Sequence, residues 1–97
     1  MRITGGGHMK KKWLKKRATV EEAERKNLIT DERLGPDPVL FGFQNDRWLR
    51  LKSQMEIGDE IWEFSSPEAT WEHLAGRAGL SLVRKGKIVD SIVTTMN

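Results

Sequence analysis

The sequence predicts a small single α+β domain: a three- or four-stranded antiparallel sheet with two to three helices packed on it. Three observations carry this. Residues 80–94 hold two apolar, β-prone runs separated by Lys85-Gly86, the pattern of a hairpin closed by a two-residue turn. Two helix-start signals, Thr19-Val20-Glu21-Glu22 and Ser65-Ser66-Pro67-Glu68, stand upstream of apolar positions at helical spacing. The chain has 97 residues, the size of one domain with a modest core.

Residues 1–8, Met-Arg-Ile-Thr-Gly-Gly-Gly-His, read as a cloning remnant or a disordered leader, with the domain proper over 9–97. A basic arm follows at 10–17, with six cations around Trp13 and Leu14. Residues Lys10–Arg17 are open to an edge strand, an extended arm or a helical lead-in, and Lys10–Leu14 can add a fourth, edge strand to the sheet. Thr19 then opens a helix to about Leu28. Its hydroxyl can accept from a free N–H while Glu22 reaches back. Gly35-Pro36-Asp37-Pro38 breaks the chain, since each proline forces its predecessor to extended geometry.

Val39–Phe43 is a short strand or buried loop. Asn45 is placed to cap a helix over Asn45–Glu56 that carries Trp48, Leu51 and Met55 on one face. Asp46 and Arg50 stand one turn apart and can pair. Gly58 supplies the left-handed exit. Asp59–Phe64 alternates as a strand, with Trp62 and Phe64 on one face and Ile61 on the other. A helix over Pro67–Ala75 would align Trp71, Leu74 and Ala75. In the hairpin, pairing Arg84 with Lys87 puts Val83 opposite Ile88 and Leu82 opposite Val89. Leu80, Leu82, Val89 and Val93 then form the core face. Helix 45–56 is expected to pack there through Trp48, Leu51 and Met55, against Trp62, Leu82 and Val89.

Composition narrows the function. With no Cys, disulfide scaffolds and thiolate metal sites are excluded. No metal or cofactor is expected, because no ligand spacing accompanies His73. No apolar run approaches the ~20 residues that cross a bilayer, so a cytoplasmic protein is expected. The net charge of +3 is unevenly placed. Residues 1–17 hold seven cations and no acid, whereas residues 18–97 hold ten cations against all fourteen acids. The domain is therefore mildly acidic, and the basic character belongs to one segment.

The runs Gly58-Asp59-Glu60-Ile61-Trp62-Glu63-Phe64, Trp71-Glu72-His73-Leu74-Ala75-Gly76-Arg77-Ala78-Gly79 and Val83-Arg84-Lys85-Gly86-Lys87-Ile88-Val89, ending Met96-Asn97, resemble a group of small uncharacterised bacterial proteins. Gly42-Phe43-Gln44-Asn45-Asp46-Arg47-Trp48 is similar to their upstream pattern. The likeness covers about half the chain and leaves out the lysine-rich segment. It implies a small open reading frame of the kind carried on mobile bacterial DNA. No activity is assigned to that group, so it implies no catalytic residues.

Three function classes follow. The first is a non-catalytic binding protein that engages a protein partner or itself, through a sheet edge or the Trp-bearing arm. Four tryptophans are a heavy aromatic load; Trp48, Trp62 and Trp71 are expected to pack, while Trp13 can be an exposed anchor. The second is nucleic-acid binding, with Lys11, Lys12, Lys15, Lys16 and Arg17 on phosphates and Trp13 stacked on a base. The third is a small-substrate enzyme using Glu72, His73 and Arg77. His73 and Arg77 could share a face if their helix persists, and Arg77 could hold an anion. Asp59 and Glu63 share a strand face, where solvated carboxylates are expected.

Overall fold

The computed structural model describes residues 10–97. The expectations for residues 1–8 lie outside the described residues. The expected α+β architecture is present: among the described residues there are three α-helices, a four-stranded antiparallel sheet and a separate two-stranded one. In chain order the elements are β1 (Leu14–Ala18), α1 (Val20–Lys26), β2 (Leu28–Ile29), β3 (Val39–Leu40), α2 (Asn45–Ser53), β4 (Glu60–Ser65), α3 (Glu68–Glu72), β5 (Arg77–Arg84) and β6 (Lys87–Met96). The main sheet runs β1-β4-β5-β6, and β2 pairs with β3. No helix among the described residues is long and apolar enough to cross a membrane.

The fourth strand lies four residues later than expected. Lys11–Trp13 form a single 3-10 turn, and pairing begins at Leu14, opposite Phe64. The register is set at the other end, where Ala18 faces Ile61 and both are buried. Only the small Ala18 enters the core; the cations before it stay outside. The capping box of α1 forms as expected. Thr19 N–H donates to Glu22 Oε1 at 2.9 Å and Glu22 N–H to Thr19 Oγ1 at 3.0 Å. The helix stops at Lys26, short of Leu28, because the next residues pair in β2.

In α2, Asn45 does not cap. Its amide donates instead to the Leu40 carbonyl at 3.0 Å, and the N-cap is Gln44 without a side-chain bond. The expected Asp46–Arg50 pair is replaced by a longer-range one, Arg47 with Asp90. Trp48 and Leu51 are fully buried, and Met55 packs at the core's margin. The Trp48 ring stacks on Phe41 with centroids 4.4 Å apart, and its Nε1–H donates to Glu24 at 2.8 Å. Phe41 takes a left-handed φ of 60°, which disfavours a bulky residue; the buried stack holds it there.

The hairpin turn is as expected, with Lys85 and Gly86 both at positive φ and Arg84 opposite Lys87. Its register then departs. Val83 faces Ile88, but an irregularity next to it brings Leu82 opposite Asp90 and Leu80 opposite Ile92. One extra residue exchanges the two faces of the strand beyond it. Val89 is consequently 38% exposed, while Ile92 is buried beside Leu80 and Leu82. Trp62 is likewise not under α2. It pairs with Ser81, opposite in face to Ile61 and Leu82, and is half-buried there.

The second sheet face is covered too, for Phe64, Ser81, Val83 and Ser91 are all buried. Ser81 and Ser91 satisfy one another across β5 and β6 at 2.8 Å. The arm reaches across this face. Leu14 sits at the Phe64 end of the sheet, yet the Lys11 amine comes within 4.0 Å of the Cβ position at Gly86, at the hairpin end.

Helix α3 is a single short turn ending at Glu72 instead of Ala75. Leu74, expected on its apolar stripe, takes φ 59° and is 76% exposed. Trp71 is half-buried rather than in the core, its ring flat against Gly76 and its Nε1–H donating to the Ser66 carbonyl.

Candidate binding edges

A four-stranded open sheet has two edges, and here they are finished differently. Along β6, side chains from the α2 region reach the main chain. The Arg47 guanidinium donates to the Ser91 carbonyl at 2.6 Å and the Gln44 amide to the Val93 carbonyl at 2.8 Å. Arg47 is held by Asp90, to which it makes two bonds, and Gln54 donates to the same carboxylate at 2.6 Å. Burial raises the affinity of Asp90 for a proton, but these donors and its neighbouring N–H outweigh that and hold it below the usual carboxylate range.

Along β1, no side chain bonds the backbone of residues 15–18 among the described residues, and no strand lies beyond it. Lys15, Lys16 and Arg17 are exposed, with Lys15 at the irregularity. Lys16 lies opposite Glu63, on the sheet face that carries α1, and Arg17 opposite Trp62, on the other. The two cations therefore flank the edge above and below. The acids behind them already have partners: Glu63 takes Lys26 at 3.0 Å, and Glu60 takes Arg17 at 3.4 Å and the Trp62 indole at 2.9 Å.

The remaining members of the arm divide. Lys11 and Lys12 are exposed. Trp13 is half-buried, and its Nε1 lies inside without a partner. Its ring is not laid open as a stacking platform. The proximity of Lys11 to Gly86 does bring that one cation of the arm to the turn between Lys85 and Lys87, a grouping that linear sequence hides.

Glu72, His73 and Arg77 are exposed and stand on the last helical residue, its cap and the first residue of β5. Because the helix ends, spacing no longer aligns His73 with Arg77. None of the three lines either of two surface grooves. The larger, about 420 Å³, opens at the Ala18 end of β1, over Val20, Met55 and Ile61. The carboxylates there are engaged: Glu22 in the capping box, Glu60 as above, and Asp59 by the Arg84 guanidinium at 2.8 Å. Arg84 is the main cause that keeps Asp59 below its ordinary range. Asp59 and Glu63, expected as solvated neighbours, serve in separate ion pairs.

Compared with protein-family models, curated proteins and solved structures, the chain matches none of them.

Proposed function

We propose that the chain is a non-catalytic binding protein that engages a partner protein along the β1 edge. The observation that carries this is the contrast at the sheet's margins: on β6 the Ser91 and Val93 carbonyls are occupied by Arg47 and Gln44, while β1 presents a backbone uncovered among the described residues. An uncovered strand is a template for a further strand, with main-chain bonds supplying affinity. Pairing β1 with β1 of a second copy would set cation against cation, so the edge favours a different protein over self-association.

The test is backbone chemical-shift mapping during titration with extended peptides. Perturbation confined to Leu14–Ala18 and its β4 neighbours is expected, with a monomer in sedimentation. Perturbation only at β6, or dimers formed through β1, would overturn the reading.

One observation favours a second reading, binding of nucleic-acid phosphates. Lys11, Lys85 and Lys87 gather at the hairpin end. On this reading, affinity for an oligonucleotide falls steeply with salt and drops again in Lys85→Glu/Lys87→Glu. The half-buried Trp13 argues against base stacking as part of it.

A further inference from the structure

Resting on the β1 reading, we infer the chemistry of the partner: an extended segment with two adjacent carboxylates, seated as a fifth strand against Lys16 and Arg17. Consecutive strand residues point to opposite faces, so Lys16 and Arg17 lie on opposite sides of the same edge. A strand added beside them places one residue next to Lys16 on the α1 face and its neighbour next to Arg17 on the other face. Two consecutive acids meet both cations, whereas acids at alternate positions meet only one.

The local charge supports this. Lys16 is exposed and makes no ion pair among the described residues. Arg17 is bound to Glu60 only at 3.4 Å with its side chain 65% exposed, so it can turn outward to a second carboxylate. Lys15 adds a third exposed cation beside them. The chain's nearby acids are otherwise engaged: Glu60 and Glu63 lie on β4, on the inner side of β1, and the Glu22 carboxylate, though near enough to feel Lys16, accepts the Thr19 N–H in the capping box.

Two further features fix the register. Leu14 lies on the Arg17 face near the other end of the strand and is half-buried, so an apolar residue suits the partner there. The irregularity at Lys15 interrupts regular pairing between Leu14 and Lys16, which leaves 16–18 as the part of the edge where the added strand is regular. At the Ala18 end the open groove over Val20, Met55 and Ile61 gives the segment room for an apolar side chain beyond its acids. The same cations that attract such a segment repel another basic edge, so the strand is selective and not merely sticky.

The experiment uses the full chain and two fluorescent peptides of one β-prone sequence, one carrying Glu-Glu and the other Gln-Gln at the central pair. Anisotropy titrations at low salt are followed by chemical-shift mapping. The Glu-Glu peptide is expected to bind about tenfold tighter, the effect of two exposed ion pairs. Lys16→Gln/Arg17→Gln should remove that preference while leaving the circular dichroism unchanged. Should this variant fail to fold, Lys16→Gln alone should reduce the preference about threefold. Equal affinity of both peptides at β1 would overturn the acidic partner and leave the edge reading standing. Absence of any peptide shift at β1 would overturn both. Binding of an oligonucleotide alone, with shifts at Lys11, Lys85 and Lys87, would overturn both in favour of phosphate recognition.

Discussion

Strands β1 and β6 face the same physical problem with opposite solutions. Each ends a sheet, and an unfinished edge invites uncontrolled pairing. At β6 the solution is hydrogen bonding from a packed helix: α2 packs on the sheet through Trp48 and Leu51, and Arg47 and Gln44 on the same segment then reach the carbonyls of Ser91 and Val93. At β1 the solution is charge alone. Lys15, Lys16 and Arg17 leave the backbone accessible and only decide who can approach. An edge closed by hydrogen bonds belongs to the fold, whereas an edge guarded by charge remains open to a partner of opposite sign.

The largest way to break this comparison is to detach β6. Gly79 lies under the Ile92 carbonyl so closely that a Cβ would overlap it. Gly79→Ala is expected to cost about 3 kcal/mol or more, since the obstacle is backbone and cannot turn aside. Urea denaturation measures it, and a loss below about 1 kcal/mol would show that β5 and β6 can part locally.

Next in size is Arg47→Met, which leaves Asp90 without its main donor and bares the Ser91 carbonyl. A loss of about 1–2 kcal/mol is expected, reduced from the buried-pair range because Arg47 is 36% exposed. The variant should also self-associate with concentration in light scattering, because β6 is then an uncovered edge without β1's cations.

Acid provides a third probe. Asp90 and Glu24 sit below the usual carboxylate range, Asp90 by Arg47 and Gln54 against its burial, Glu24 chiefly by Lys52 and then Trp48. Lowered native values mean stability that is present above the ordinary carboxylate range of about 4 and lost as pH falls through the lowered values. The urea midpoint should therefore drop below pH about 4, and more gradually in Arg47→Met.

The smallest effect belongs to β1. Lys15→Thr/Lys16→Thr should change stability by no more than about 0.5 kcal/mol, since both side chains are exposed. Sedimentation should nevertheless show more dimer, because the charge barrier is weaker.

The sequence made the locally encoded parts legible. Thr19 and Glu22 declared their capping box, Lys85-Gly86 its turn, and Trp48 and Leu51 their buried face. What remained hidden was set by distant partners. The irregularity beside Val83 exchanged Val89 for Ile92 in the core, and nothing in the alternating pattern marks where an extra residue falls. Asn45 has a cap's chemistry but bonds Leu40, a choice made by the preceding turn. For the candidate site, the run Lys15–Arg17 was visible as charge, and an edge strand was one of three backbone readings open for residues 10–17; its bounds were set by the distant pairing of Ala18 with Ile61. The bonds from Gln44 and Arg47 to β6 span more than forty residues and carry no sequence signal.

The most direct measurement is amide hydrogen exchange with and without the Glu-Glu peptide, read on both edges. Slowing confined to amides of Leu14–Ala18, with Lys87–Met96 unchanged, is the predicted result. Slowing along Lys87–Met96 instead, or on neither strand while the peptide is bound, would contradict the assignment of β1 as the open edge.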